Sequence, residues 1–281
     1  MKTSNKIINN TVRKLFKEGY CIVDKVLTHK QCESFIEHIE KINKETKKNK
    51  HFIDEISDKG QIIIRDLIFR NPKIFLSLID NKFVMQVLTK IFNDTFIIDN
   101  VMASNSNNVE KKYSTLVHMD AHLPTKENRN TTDVIAFFCL DDFTKENGST
   151  IIWPGSHKTG IRIQNSKNYN KLIKKKSISL KTSKGSCVFI LGQTWHQIGK
   201  NSNSKRRWGI FTHYKRWWIK PSTDFIKCGS KIFKLLNNKQ KELLGFTSIS
   251  PRYDFKKKTR TIRTLRKTQD LNINYLKSLD Y

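Results

Sequence analysis

The sequence predicts a mainly β fold with flanking helices, whose core is a β-sandwich or a β-barrel. From about residue 95 the chain consists of short apolar runs, among them TFIIDNVMA, TDVIAFFCLDD and GSCVFILG. Polar turn signals separate these runs, including Asn147-Gly148 and Pro154-Gly155. Short strands with polar breaks between them are typical of all-β sandwiches and barrels.

The first 94 residues are predicted to be mostly helical. GYCIVDKVL, at positions 19–27, is a short apolar strand. Thr28 and Gln31, which follow it, have the spacing of a capping box and therefore predict the start of a helix. Apolar residues then recur at helical spacing and predict one buried stripe. They are Phe35, Ile36, Ile39 and Ile42.

The core is predicted to contain three further strands, YSTLVHMD, STIIW and RRWGIFTHYKRWW. Residues 159–181, which are polar and rich in Lys and Asn, are predicted to form a surface insertion. After Pro221 apolar residues return at helical spacing, and Gly245 stands where a helix C-cap is expected.

The chain is predicted to form one domain. Its 281 residues are enough to bury a sizeable core, and the sequence has no internal repeat and no long flexible linker. We expect three parts within a domain that spans 1–281: a mostly helical segment at 1–94, the β core at 95–221 and a helical extension at 222–281.

Cysteine usage and hydropathy predict a cytoplasmic protein. The five cysteines are scattered, and none is part of a C-x-x-C pair, which favours reduced thiols over disulfides or a zinc site. The opening MKTSNKIINNTVRKLF has no apolar run of the signal-peptide type. No run approaches the roughly 20 apolar residues that a membrane span needs.

The charge balance is strongly basic, with 53 Lys and Arg against 25 Asp and Glu, a formal net charge of +28. Such a field can attract nucleic acid or a small anionic substrate. The basic residues are dispersed, however, and no zinc finger, basic zipper or RNA-recognition motif occurs. The abundance of Lys, Asn and Ile together also fits a compositional bias. A small-molecule substrate, with an anionic one included, is therefore favoured over nucleic acid.

STLVHMDAHLPT, at positions 114–125, ends an apolar run with a histidine, one spacer and an aspartate. Alternate residues of a strand point to the same side, so His118 and Asp120 would present an imidazole and a carboxylate together. A lone pair of this kind is usually a surface hydrogen bond, and a metal site needs a third ligand. The candidates are His122, His157, His196 and His213. His196 is the best placed, because it directly follows the strand GSCVFILG.

Two imidazoles and one carboxylate are the ligand set of a facial triad, which leaves three adjacent coordination positions open and suits Fe(II). Arg207 lies eleven residues after His196, on the next strand. Its guanidinium could form a bidentate pair with a carboxylate bound near the metal, and the alternative is a surface salt bridge.

The sequence resembles the phytanoyl-CoA dioxygenase family of Fe(II)- and 2-oxoglutarate-dependent oxygenases. The resemblance covers most of the chain, from EGYCIVDKVLTHKQCESF to ELLGFTSISP. It includes HMD, ENGSTIIWPGSHKTG, TWHQIG and RRWGIFTHY, in that order. The stretch NGS…PGSHK is the most family-specific of these motifs.

The resemblance implies a double-stranded β-helix (jelly-roll, cupin-like) core in a single oxygenase domain. It further implies that His118, Asp120 and His196 bind Fe(II), and that 2-oxoglutarate chelates the metal with its far carboxylate on Arg207. O2 would be the second co-substrate, and succinate and CO2 would be released as a substrate C–H bond is hydroxylated. Related halogenases lack the carboxylate, so Asp120 favours hydroxylation.

One position departs from the family pattern. Many members carry a small or hydroxyl residue two positions after the distal histidine, where this chain has Ile198. Thr115 and Tyr113 are the expected replacements in binding the co-substrate. His122 is a candidate for substrate contact, with surface exposure as the alternative. For His157, in PGSHK, we expect a structural role.

Two other classes of function stay open at this point. A catalytically silent jelly-roll binding protein would keep the fold without turning over 2-oxoglutarate. An oxygenase associated with nucleic acid or a nucleotide would make use of the +28 charge, and its binding would weaken as salt rises.

Overall fold

The computed structural model describes residues 5–48, 56–57, 61–106, 116–123, 131–203, 207–248, 253–256 and 258–260. Its helices are α1 (Asn5–Glu18), α2 (His29–Lys48), α3 (Leu67–Arg70), α4 (Pro72–Ile79), α5 (Lys82–Phe92), α6 (Tyr169–Leu172), α7 (Gly229–Phe233) and α8 (Asn238–Leu243). Across the described residues, none of the helices combines the length and apolar character that crossing a membrane requires.

Among the residues that the structure describes, the strands form two antiparallel sheets and one small hairpin. They are β1 (Tyr20–Val23), β2 (Ile56–Ser57), β3 (Gln61–Ile64), β4 (Phe96–Ser106), β5 (Asp133–Cys139), β6 (Ile151–Ile152), β7 (Ile178–Ser179), β8 (Cys187–Leu191), β9 (His196–Gln197), β10 (Arg207–Arg216), β11 (Tyr253–Asp254) and β12 (Thr259–Arg260). The larger sheet has the order β1-β8-β5-β10-β4-β3-β2, and the smaller sheet has the order β7-β6-β9.

Alternation along the strands separates two apolar clusters. On β5, Ile135 and Phe137 pack in a cluster that also holds Ile152 and Leu180 from the region of the smaller sheet. Residues of opposite parity, such as Phe138, join a larger cluster that contains the buried faces of the helices. Side chains of alternate residues point to opposite faces of a sheet. One face of the larger sheet is therefore covered by helices, and the other faces the smaller sheet.

The predicted fold class, mainly β with flanking helices, is confirmed. The capping box at the start of α2 is confirmed as well: the Thr28 backbone N–H donates to Gln31 Oε1 at 2.9 Å, and the Gln31 N–H donates to Thr28 Oγ1 at 3.2 Å. Gly245 has φ +85°, as expected of a glycine that follows a helix. All five cysteines are free and buried.

Two sequence predictions are corrected. Within YSTLVHMD the described residues form no regular strand, and His118 makes an isolated antiparallel bridge to His196. The stretch 159–181 is more than a surface insertion, because Ile163 within it is fully buried. Ile163 belongs to an apolar cluster that also contains Val117, and the partly buried Tyr169 packs against this cluster. A few apolar residues in this Lys-rich segment are enough to pack it against the core.

Candidate metal centre

Three predicted ligands converge in space. Ligand atoms of His118, Asp120 and His196 all lie within 4.8 Å of one another. His118 Nε2 is 3.7 Å from Asp120 Oδ1, and His196 Nε2 is 3.5 Å from Asp120 Oδ2. Both imidazoles thus turn the same ring nitrogen toward the carboxylate, which leaves one small volume bordered by two nitrogens and an oxygen.

The backbone places the two histidines opposite each other. The His118 N–H donates to the His196 carbonyl at 3.0 Å, and the His196 N–H donates to the His118 carbonyl at 2.8 Å. Their rings lie with centroids 4.4 Å apart. A directly opposed pair in an antiparallel bridge has its side chains on the same face, so a single bridge brings together residues 78 positions apart along the sequence.

Met119, the residue between His118 and Asp120, is held by hydrogen bonds to a side chain of the 159–181 segment. Gln164 accepts from the Met119 N–H at 3.3 Å and donates to the Met119 carbonyl at 3.0 Å. The Tyr169 hydroxyl accepts from the Val117 N–H at 2.7 Å. These bonds take the place of a neighbouring strand and fix the spacing between the imidazole and the carboxylate.

Hydrogen bonds also set the orientation of both rings. His118 Nδ1 lies 3.0 Å from the Leu116 carbonyl, and His196 Nδ1 lies 2.9 Å from the Thr194 carbonyl. A carbonyl only accepts, so Nδ1 carries a proton in each ring, and in the neutral form of the ring the lone pair is on Nε2, which faces the site. Imidazoles that bind metals are commonly oriented by such a bond at the other nitrogen.

The protonation states favour metal binding. Burial lowers the pKa of His196 to about 4, against the opposing attraction of Asp120, so the imidazole is neutral near pH 7. Burial alone would raise the pKa of Asp120, but the positive charge that the surrounding imidazoles gain on protonation, that of His196 foremost, holds this pKa well below its usual range. Metal ligands must be deprotonated, and both groups are. The donor set of two imidazoles and one carboxylate fits Fe(II) with open positions.

The three side chains lie in a cavity of about 310 Å³. Arg207 also borders this cavity, together with Ile198, Thr150 and Ser104. Thr150 and Ser104 offer hydroxyl groups that the sequence prediction did not consider. Tyr113 and Thr115, the hydroxyl residues that it did name, lie outside the described residues.

Arg207 is buried, with only 1% of its surface exposed. Its Nε donates to the Gly148 carbonyl at 3.0 Å, and its Nη2 also reaches that oxygen. The guanidinium lies 4.3 Å from the centre of the Phe143 ring. The alternative of a surface salt bridge does not fit this burial. A cation held in an apolar wall attracts an anion more strongly than one in water does.

His122 and His157 lie apart from the three ligands. His122 is exposed and is absent from the residues that line the cavity. His157 is buried, and its Nε2 lies 3.1 Å from the Phe16 carbonyl at the end of α1. This contact supports the structural role that we expected from PGSHK.

His213 was one of four histidines considered for the third ligand, and the structure places it beside the carboxylate. Its Nε2 is 3.4 Å from Asp120 Oδ2, and its Nδ1 is 3.6 Å from Asp99 Oδ2. Burial opposes its charge, but the two carboxylates raise the pKa of His213 to about 9. His213 lies an even number of residues after Arg207 on β10, and such residues share one face of a strand. This spacing is the sequence signal that could have placed His213 beside the site. Nothing in the sequence identified Asp99.

Comparison with known proteins adds a family assignment. The family model described as phytanoyl-CoA dioxygenase (PhyH) matches residues 16–209, more than half of the chain. An uncharacterized protein of Mycobacterium tuberculosis is 21% identical over 204 residues, which are 69% of this chain and 71% of that protein.

Solved structures share the fold. The epimerase SnoN from nogalamycin biosynthesis, in complex with Fe3+, alpha ketoglutarate and nogalamycin RO, gives a TM-score of 0.61 at 18% identity, over 75% of this chain and 84% of that one. HygX from Streptomyces hygroscopicus, with nickel and 2-oxoglutarate bound, gives 0.59 at 12% identity, over 75% and 88%. At these identities the likeness shows the fold.

Proposed function

The chain belongs to the phytanoyl-CoA dioxygenase family of Fe(II)- and 2-oxoglutarate-dependent oxygenases, and we propose that it hydroxylates a C–H bond of a small-molecule metabolite. Succinate and CO2 are the other products. One observation carries the proposal: three donor atoms lie within 4.8 Å of one another, in a cavity that Arg207 also borders.

In this proposal His118, Asp120 and His196 hold the metal on one face. When bound, Fe(II) together with 2-oxoglutarate and O2 supplies the oxidising chemistry. The residues of the chain keep the remaining coordination positions open, because the bonds at Nδ1 of both rings and at Met119 fix the three ligands on one side.

Arg207 binds the far carboxylate of 2-oxoglutarate. A guanidinium pairs with a carboxylate through two parallel N–H···O bonds, which fixes orientation as well as position. Ile198 provides no hydroxyl for this carboxylate, and Thr150, which borders the same cavity and is buried, is our candidate for that hydrogen bond.

Much of the cavity wall next to the three ligands is apolar. Ile63, Met102, Ile135, Ile190 and Phe211 line the cavity. Apolar walls of this kind strengthen the electrostatic interactions inside and limit side reactions with solvent. The volume of about 310 Å³ lies at the small end of ligand pockets, which favours a small substrate.

The test is anaerobic loading with Fe(II) and 2-oxoglutarate, followed by O2 and measurement of succinate. We expect slow, uncoupled succinate formation by the wild-type chain, and none above background from His118→Ala, Asp120→Ala or His196→Ala. His157→Gln, a histidine change outside the cavity, is the matched control and keeps wild-type yield. Equal succinate from all variants would exclude the site. No succinate from a wild-type chain that binds iron would favour a silent binding protein.

Product mass then tests the reaction type. Hydroxylation adds one oxygen atom to the substrate, whereas epimerisation, the activity for which SnoN is named an epimerase, leaves the mass unchanged. We expect a gain of one oxygen in a metabolite-extract screen. A converted substrate of unchanged mass would contradict hydroxylation while leaving the metal site in place.

A further inference from the structure

His213 lies between two carboxylates in the wall of the cavity. One ring nitrogen faces Asp120 at 3.4 Å and the other faces Asp99 at 3.6 Å. The His213 side chain is only 13% exposed and borders the same cavity as the three metal ligands. Each ring nitrogen thus faces a carboxylate oxygen, and the ring bridges Asp120 and Asp99.

Asp99 is fixed from several directions. Its Oδ1 accepts from the Ser222 N–H at 2.6 Å and lies 3.0 Å from the Lys215 ammonium. Its Oδ2 accepts from Asn100 Nδ2 at 2.8 Å. Asp99 is itself 4% exposed. A buried charge persists when it is paired and hydrogen-bonded, and this one is.

A local irregularity in the sheet makes the arrangement possible. The pairing of β10 with β4 shifts register between His213 and Tyr214, so that His213 is opposite Asn100 while Tyr214 is opposite Ile98. Asp99 is the extra residue of β4 at this point, and β-bulges of this kind re-aim a side chain. The bulge turns Asp99 toward His213, behind the metal-binding carboxylate.

We propose that His213, held by Asp99 and Lys215, is a positioning residue that orients the Asp120 carboxylate as a ligand through one oxygen. This inference rests on the proposed function. His213 faces Oδ2 of Asp120, the oxygen that also lies 3.5 Å from His196 Nε2, while Oδ1 faces His118. The contact on Oδ2 thus limits rotation of the carboxylate. Free rotation would let both carboxylate oxygens bind the metal, and the second would occupy a position that 2-oxoglutarate or O2 needs.

A direct ligand role for His213 is the competing assignment. In the part of the chain that the structure describes, the ligand atoms that lie mutually within 4.8 Å are those of His118, Asp120 and His196, and His213 is outside that group. The two assignments predict different losses on substitution, because removal of a ligand abolishes binding whereas removal of a supporting contact weakens it.

The test compares three variants by anaerobic titration with Co(II) alone and then with Fe(II) and 2-oxoglutarate. His213→Phe removes both donors, His213→Gln keeps a donor toward Asp120, and Lys215→Met removes the cation behind Asp99. Thr212→Val is the matched control, because Thr212 is buried on the same strand and bonds the Ala136 carbonyl, away from the cavity. Unfolding midpoints of the metal-free variants identify any that fail to fold.

We expect His213→Phe to weaken Co(II) binding by about 10- to 100-fold, the usual effect of losing a contact that orients a ligand. The Co(II) affinity of His213→Gln should be close to that of the wild type. The affinity of Lys215→Met should lie between those of His213→Phe and His213→Gln, and that of Thr212→Val should equal the wild-type value. His213→Phe should also weaken the charge-transfer absorption of Fe(II) chelated by 2-oxoglutarate.

Two results would overturn the inference while leaving the proposed function in place. One is wild-type affinity in a folded His213→Phe variant. The other is a loss in His213→Gln as complete as that in His196→Ala, which would make His213 a ligand. A wild-type chain that takes up no Co(II) or Fe(II) would overturn both the inference and the proposed function.

Discussion

At the scale of single residues, the site consists of three ligands that bring two imidazole nitrogens and one carboxylate oxygen to a shared volume. The His-x-Asp pair and the later His196 were predictable, because spacing and position alone narrow the choice among a few histidines. Arg207 was predictable from its place on the next strand. Asp99 was not, because a carboxylate in a long apolar strand is identified only once a bulge turns it inward.

Arg207 carries a prediction about the co-substrate alone. Arg207→Lys keeps the positive charge but loses the bidentate hydrogen bonds of the guanidinium. We therefore expect the 2-oxoglutarate concentration needed for half-maximal succinate formation to rise by about tenfold to a hundredfold. Metal affinity should stay the same, because Arg207 is not a ligand. Titration of 2-oxoglutarate against succinate formation measures the change.

Arg216→Lys is the control, since it makes the same change on the same strand, where Arg216 bonds the Thr131 carbonyl and does not line the cavity. An equal rise in both variants, or none in Arg207→Lys, would remove Arg207 from the co-substrate site.

At the scale of elements, the turn after β6 is hydrogen-bonded to the end of α1. The Gly155 N–H donates to the Glu18 carbonyl at 2.8 Å, and the Thr194 hydroxyl donates to the Gly19 carbonyl at 2.8 Å. The family-specific PGSHK motif thus ties the first helix to the strand that carries His196. Sequence patterns located both elements but not this contact, which depends on chain segments more than a hundred residues apart.

Gly19→Ala should destabilise the fold more than Gly155→Ala. Both glycines have positive φ, +88° and +77°, so both substitutions strain the backbone by about 1 kcal/mol. At Gly19 a Cβ would also come within 2.6 Å of His157 and Thr194, whereas nothing lies within 4 Å at Gly155. Thermal or denaturant unfolding measures the difference. Equal losses would contradict the tight contact at Gly19.

The contact between the PGSHK turn and the end of α1 also includes His157, which makes its stability depend on pH. Burial lowers the pKa of His157 below its usual 6.5. The unfolded chain therefore binds more protons than the folded chain between the two values, and the stabilising contribution is lost as pH falls below about 6.5. His157→Gln keeps a donor for the Phe16 carbonyl and cannot titrate there. We expect its unfolding free energy to fall less than that of the wild type between pH 7 and pH 5.

Unfolding curves at several pH values give this comparison. Parallel pH profiles for the wild type and His157→Gln would contradict the assignment.

At the scale of the whole molecule, the antiparallel architecture was predictable from runs of apolar residues broken by turns. The isolated bridge at His118 was not, because Gln164 and Tyr169 from a polar stretch replace the neighbouring strand there. The net charge of +28 is a property at this scale that the site does not explain.

We expect that charge to give non-specific binding to polyanions without any effect on catalysis. Binding to a labelled DNA duplex should weaken steeply between about 50 and 200 mM salt, because counterion release drives it. Added DNA or RNA should leave the rate of succinate formation unchanged. Fluorescence anisotropy and a succinate assay measure the two effects. A rise in succinate with nucleic acid would identify nucleic acid as a substrate.

Iron stoichiometry tests the central claim most directly. After anaerobic loading with Fe(II) and removal of excess metal, we expect one iron per chain in the wild type and in His157→Gln. His118→Ala, Asp120→Ala and His196→Ala should each retain none. A wild-type chain without iron, or triad variants that still hold one iron, would contradict the convergence of these side chains on a single ion.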